Sequence, residues 1–235
     1  MTSHDLPVAT SLTSRWLLGC GVIAGPLFTV AWLAEGATRA HYNPLRHPVS
    51  TLQLGDLGWM QVLNFIVTGL LTLAFAVGLR RALRPLGASI WGPLLIGAYA
   101  IGLIGAGIFV TDPAGGYPPG SPTFSDTYSD LHAALHDRFS IPVFVALPAA
   151  CAVMAVRFAR WGRRGWAGYS ALTATGLVVG YVFTAMALTQ VAGLAEFGGL
   201  FQRGTLVLGS AWSTLLALHL LRSKVRAEPG RPGRL

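Results

Sequence analysis

Two histidines stand four residues apart in the segment DLHAALHDRFSIP, residues 130–142. At 100° per residue His132 and His136 share one helical face, a spacing that suits two imidazole ligands on one metal ion. The flanking carboxylates do not join them. Asp130 and Asp137 project away from His132, toward the side of Ala133 and Ala134. The pair reads HAALH, so the glutamate of the HExxH zinc motif is absent. Any metal site therefore draws ligands from elsewhere: His47, Asp112, His41 or Glu35. The competing reading is polar surface at the mouth of a helix, with Asp130, Ser129 or Thr127 at its start.

The elements that position these residues are membrane helices. Only 11% of the 235 residues are charged and 53% are hydrophobic, against about 25% charged in soluble domains. Uncharged runs cover residues 16–34, 57–79, 85–111, 139–156, 165–195 and 204–221. Each is near or above the roughly 18 to 20 residues that span a bilayer as a helix. The expected fold is all-α, a polytopic bundle of six transmembrane helices in the cell membrane. Residues 15–222 form that bundle. Residues 1–14 and the basic tail 223–235 are expected to be disordered. The first run exceeds a signal-peptide core and is expected to be retained.

The net charge of +8 does not imply nucleic acid, because topology distributes it. With both termini cytoplasmic, 13 of the 17 basic residues fall inside; only Arg39, Arg46, Arg138 and Arg203 fall outside. Arg157, Arg160, Arg163 and Arg164 then act as topology determinants. Cys20 and Cys151 lie in apolar runs and read as packing residues. Glycines at 97, 102, 105 and 107 read as a helix-packing stripe. Pro26, Pro93, Pro142 and Pro148 lie within apolar runs, where neighbouring helices compensate for bends.

Almost all reactive side chains gather at the outer ends. Asp112 closes a long uncharged run, so it sits where an ionised group needs a partner, and Arg203 is the expected one.

HPVSTLQLGDLGWMQVLNFIVTG, then GIFVTDP, LH and LFQRGTLVLGSAW, resembles the prokaryotic membrane family called domain of unknown function 998. The matching positions are His47-Pro48-Val49-Ser50, Gly58-Trp59, Gly69, Thr111-Asp112-Pro113, Leu131-His132, Arg203 and Trp212. The resemblance implies six helices in one bundle and no established activity. It singles out Ser50, Asp112, His132 and Arg203, and not His41 or His136. A fainter likeness is to membrane hydrolases that hold zinc with three histidines near a serine and an aspartate. Those carry a histidine pair on a late helix, whereas the sixth helix here offers only His219, at the opposite end.

Three functions follow. The first is a non-catalytic protein whose outer polar pocket, built by Ser50, Asp112, His132 and Arg203, binds a lipid headgroup or small anion without a cofactor. The second is a zinc-dependent hydrolase of an outer-leaflet lipid, with His47, Asp112, His132 and His136 as ligands. The third is a transporter, for which the nearly charge-free helix centres and Asn64 give little support. Membrane lipids are the expected partners in each.

Overall fold

A computed structural model describes residues 12–87 and 90–223. Six long helices account for most of it: α1 (Leu12–Thr38), α2 (Gly58–Leu83), α3 (Trp91–Ile108), α4 (Leu131–Arg160), α5 (Arg164–Leu188) and α6 (Gly198–Arg222). All six runs are long and apolar enough to cross a membrane, and no strand occurs among the described residues. The segments read as disordered tails lie outside the described residues, apart from 12–14, which open α1, and 223.

The helices alternate in direction. Each packs on its neighbours in sequence, and α6 packs back on α1, closing a ring. One end has short arginine-bearing connections, 84–90 and 161–163. The other has the longer loops 39–57, 109–130 and 189–197. At the arginine-rich end the interior is filled by Phe75, Phe158 and Trp212, all fully buried. Trp212 donates its indole N–H to Ser170 at 3.0 Å, tying α6 to α5. The outward faces carry Ile23, Val30, Leu70, Ile101, Val145 and Val182, each at least half exposed. Such a surface suits acyl chains, not water.

Polar side chains inside the bundle stitch helices together. Asn64 on α2 donates to the Phe28 carbonyl of α1 at 3.3 Å and to Gln61 at 3.0 Å. Its role is interhelical bonding, as is common within bilayers.

The glycine stripe is a packing device. A Cβ on Gly102 would lie 2.8 Å from the Phe139 carbonyl oxygen of α4, and one on Gly107 would lie 3.0 Å from Phe65 Cβ of α2. Gly97 is different, since its Cβ would meet only Leu73 at 4.0 Å. Pro26, Pro142 and Pro148 are helix-internal as read. Pro93 sits in the first turn of α3, where its missing N–H costs nothing.

Gly102→Val should therefore destabilise the bundle by about 1 to 3 kcal/mol through overpacking against backbone. Gly97→Ala should be neutral. Unfolding of both variants in detergent, monitored by circular dichroism, checks the contrast.

Candidate functional site

The loop-rich end is organised by one buried cation. Arg203, 8% exposed, donates from Nη1 to the carbonyls of Pro44 at 2.6 Å, His47 at 2.8 Å and Gly199 at 3.1 Å. Its Nη2 donates to the Tyr42 hydroxyl, which in turn donates to the Pro48 carbonyl at 2.9 Å. The guanidinium also lies over the rings of Trp32 and Tyr42, at 5.3 and 5.4 Å. A planar fork of donors suits converging carbonyls in a way an ammonium does not. The first turn of α6 completes the clamp. Gly199 N–H donates to the Arg46 carbonyl and Leu200 N–H to that of Leu45. A Cβ on Gly199 would fall 2.4 Å from the His47 carbonyl oxygen, so only glycine permits this approach. Arg46 adds an ion pair with Glu196 at 3.0 Å.

Rings extend the clamp to the second loop. Tyr42, His47 and Tyr117 stand with centroids 5.2 to 5.3 Å apart. Gly115 and Gly116 have φ of 68° and 86°, a left-handed pair that turns the chain tightly and seats Tyr117 there. His47 Nδ1 accepts from the Asn43 N–H at 2.9 Å, so the clamp needs neutral imidazole. Burial pushes His47 below its ordinary pKa, and the charges of Arg46 and Arg203 push the same way. Burial raises the Tyr42 phenol, against the opposing pull of Arg203.

Asp112 is elsewhere. Its carboxylate accepts from the Ser129 N–H at 3.0 Å and from the Ser129 hydroxyl. The expected Asp112–Arg203 pair is thus corrected: Asp112 is held by Ser129 of its own loop, and Arg203 by carbonyls of the first loop and of its own helix.

The two histidines also part company. His136 is 3% exposed and its Nδ1 lies 3.0 Å from the Ala106 carbonyl and 2.8 Å from that of Phe109. Facing two acceptors, Nδ1 carries the proton and Nε2 is the basic nitrogen. Gln53 joins it at the C-terminal end of α3, donating to Ala106 at 2.8 Å. His132 is exposed and packs edge-on against Phe109 at 5.6 Å. Height along the bundle separates them, not angle. His132 lies one turn closer to the helix start, beyond the end of α3. Asp130 caps α4 by accepting from Ala133 N–H at 2.9 Å, as its position suggested.

Between the helix ends lies a cavity of about 530 Å³, within the size range of small-ligand sites. Its deeper wall is apolar: Phe65, Leu103, Val143, Phe144 and Leu206. Ser50, Asp112, Asp126, His136, Asp137 and Gln202 are among its polar lining residues. Ser50 and Asp112 therefore share the cavity, while His132 and Arg203 stand outside its lining. Asp137, which projects away from His132, reaches the cavity. Tyr128, also in the lining, hydrogen-bonds Asp137, whose charge raises the phenol. No lysine or arginine lines the cavity among the described residues. The signal that would have found His136 is the stripe it begins. Val143, Leu147, Ala150, Met154 and Phe158, all buried, continue its face down α4.

The metal set does not assemble. Among the described residues no three of His, Cys, Asp and Glu come together in a way that could hold an ion. His47 Nδ1 and His136 Nδ1 are already engaged with backbone. His41 is exposed in a left-handed turn after α1. Glu35 is buried within α1, 3.6 Å from Arg39.

The family model described as "Protein of unknown function (DUF998)" matches residues 22–219, from the middle of α1 almost to the end of α6. The chain belongs to this family. No curated protein and no solved structure matches it. As a DUF998 member it is an integral membrane protein with six spanning helices, and the matched region includes both the clamp and the cavity lining.

Two outcomes test the clamp. Arg203→Lys keeps the charge but loses the fork, and should cost about 2 to 4 kcal/mol by leaving buried carbonyls unsatisfied. His47 has a folded pKa below its unfolded one, so it favours folding above its ordinary range near ~6.5 and opposes folding as pH falls through that range. Melting temperature should therefore drop between about pH 7.5 and 5.5. His47→Gln, whose amide oxygen keeps an acceptor, should flatten that drop in the same titration.

Proposed function

We propose that this DUF998 protein lies in the cell membrane with both termini in the cytoplasm, and that its outward-opening cavity binds an amphiphilic molecule. The apolar wall takes the ligand's hydrocarbon part. The polar rim takes a cationic or zwitterionic head, as lipids present. The observation that carries this reading is the charge of the lining: three carboxylates, Asp112, Asp126 and Asp137, and no arginine or lysine among the described residues. Orientation is supported by the basic residues, 13 of 17 at one set of helix ends and tails.

The same lining argues against the small-anion version. Arg203, the expected anion contact, spends its donors on carbonyls and Tyr42. A zinc-dependent hydrolase has less support still, since the ligands it needs are apart. The binding role needs no cofactor. His136 Nε2 gives the cavity one basic nitrogen beside its carboxylates, which favours a head group that donates a hydrogen bond or carries positive charge.

Binding of an alkyltrimethylammonium and of the alkyl sulfate with the same chain, measured on the nanodisc-embedded protein, tests the reading. The cation should bind in preference to the sulfate. Asp126→Asn with Asp137→Asn should weaken it about tenfold, as two partly exposed charge contacts allow. Equal binding of the sulfate, or no effect of the double substitution, would rule the reading out.

A further inference from the structure

The opposite end of the bundle carries a second feature, independent of the cavity. A shallow groove of about 350 Å³ runs along the outer face of α4, lined by Ala152, Val153, Val156, Arg157 and Arg160. These positions are spaced to share one face. From Ala152 to Arg160 the groove is ~12 Å long at 1.5 Å per residue. Its apolar part faces the lipid side of the bundle, where Val156 is 53% exposed. Its basic part lies at the helix end, where a membrane span meets water.

Topology alone asks for arginines at this end, but not for a fixed one. Arg157 is held in place twice. Its Nη2 donates to the Gly87 carbonyl at 2.9 Å, and its guanidinium lies 5.6 Å from the Trp161 ring centroid. The bond to Gly87 brings the turn after Arg84 alongside α4. Arg157 is thereby preorganised over the groove with most of its five N–H donors pointing elsewhere than Gly87. Arg160 is exposed one turn further on. Neither arginine has a carboxylate partner among the ion pairs of the described residues. An apolar trough ending in two unneutralised cations at the depth of the headgroups is complementary to one kind of molecule in a bilayer.

The geometry points to a binding site for an anionic phospholipid at the arginine-rich end of α4, with an acyl chain along Val153 and Val156 and the phosphate on Arg157 and Arg160. Bidentate guanidinium–phosphate contacts supply the head recognition, and the surrounding Arg163 and Arg164 add attraction to the anionic leaflet. The lipid would brace the α3–α4 end of the ring, since Val153 also lies against the first turn of α3 at Gly92.

Native mass spectrometry of the full chain with phosphatidylglycerol and with phosphatidylcholine of the same acyl chains tests this. Wild type should retain phosphatidylglycerol preferentially. Arg157→Gln with Arg160→Gln should lose that preference by about tenfold or more. Arg163→Gln with Arg164→Gln, equal in charge but outside the groove, should keep most of it. Val156→Trp fills the trough with every charge intact and should weaken retention, which keeps the test valid if the arginine variant folds poorly. Equal retention of both lipids, or equal loss in the two arginine pairs, would overturn the site.

Discussion

The loop-rich end depends on the burial of one guanidinium. Moving a cation out of water is costly unless hydrogen bonds replace its hydration. Arg203 meets three carbonyls, one hydroxyl and two ring faces instead. Those carbonyls come from the first loop and from α6 itself, so satisfying the charge draws loop and helix together. The aromatic triad then carries the constraint into the second loop through Tyr117. A residue that looks like a ligand contact is in this fold the organiser of its surroundings.

With the first loop fixed, the cavity follows. The five-residue helical turn Val49–Gln53 is pinned by Gln202, whose side-chain oxygen accepts from Val49 N–H at 2.7 Å. Gln53 and His136 cap the end of α3 from two sides. These polar contacts satisfy carbonyls that would otherwise be exposed at a helix terminus within the membrane boundary. The recess lies among them, lined by residues of α2, α3, α4, α5 and α6. At the other end Phe75, Phe158 and Trp212 close the same interior.

The two ends also differ in charge for one physical reason. Arginines hold the short connections at one end and carboxylates gather among the longer loops at the other; in the proposed orientation the arginine end meets the negative leaflet. The carboxylate end surrounds a recess, and the arginine end borders an exposed apolar trough. We propose a different class of amphiphile for each.

The sequence by itself determined the six helices, their alternation and the rich end, because continuous apolar runs admit only helices in a bilayer and arginine spacing orders them. It also determined that Ser50 and Asp112 would lie at one end, and that glycines 102 and 107 would face neighbouring helices. Only the tertiary structure decided which residues meet. The helical wheel places His132 and His136 together, yet α3 ends between their heights and buries just one. Charge pairing suggests Asp112 for Arg203, yet carbonyls from a loop 159 residues away in sequence reach the guanidinium first. Long-range packing sets those distances, and no local spacing encodes it.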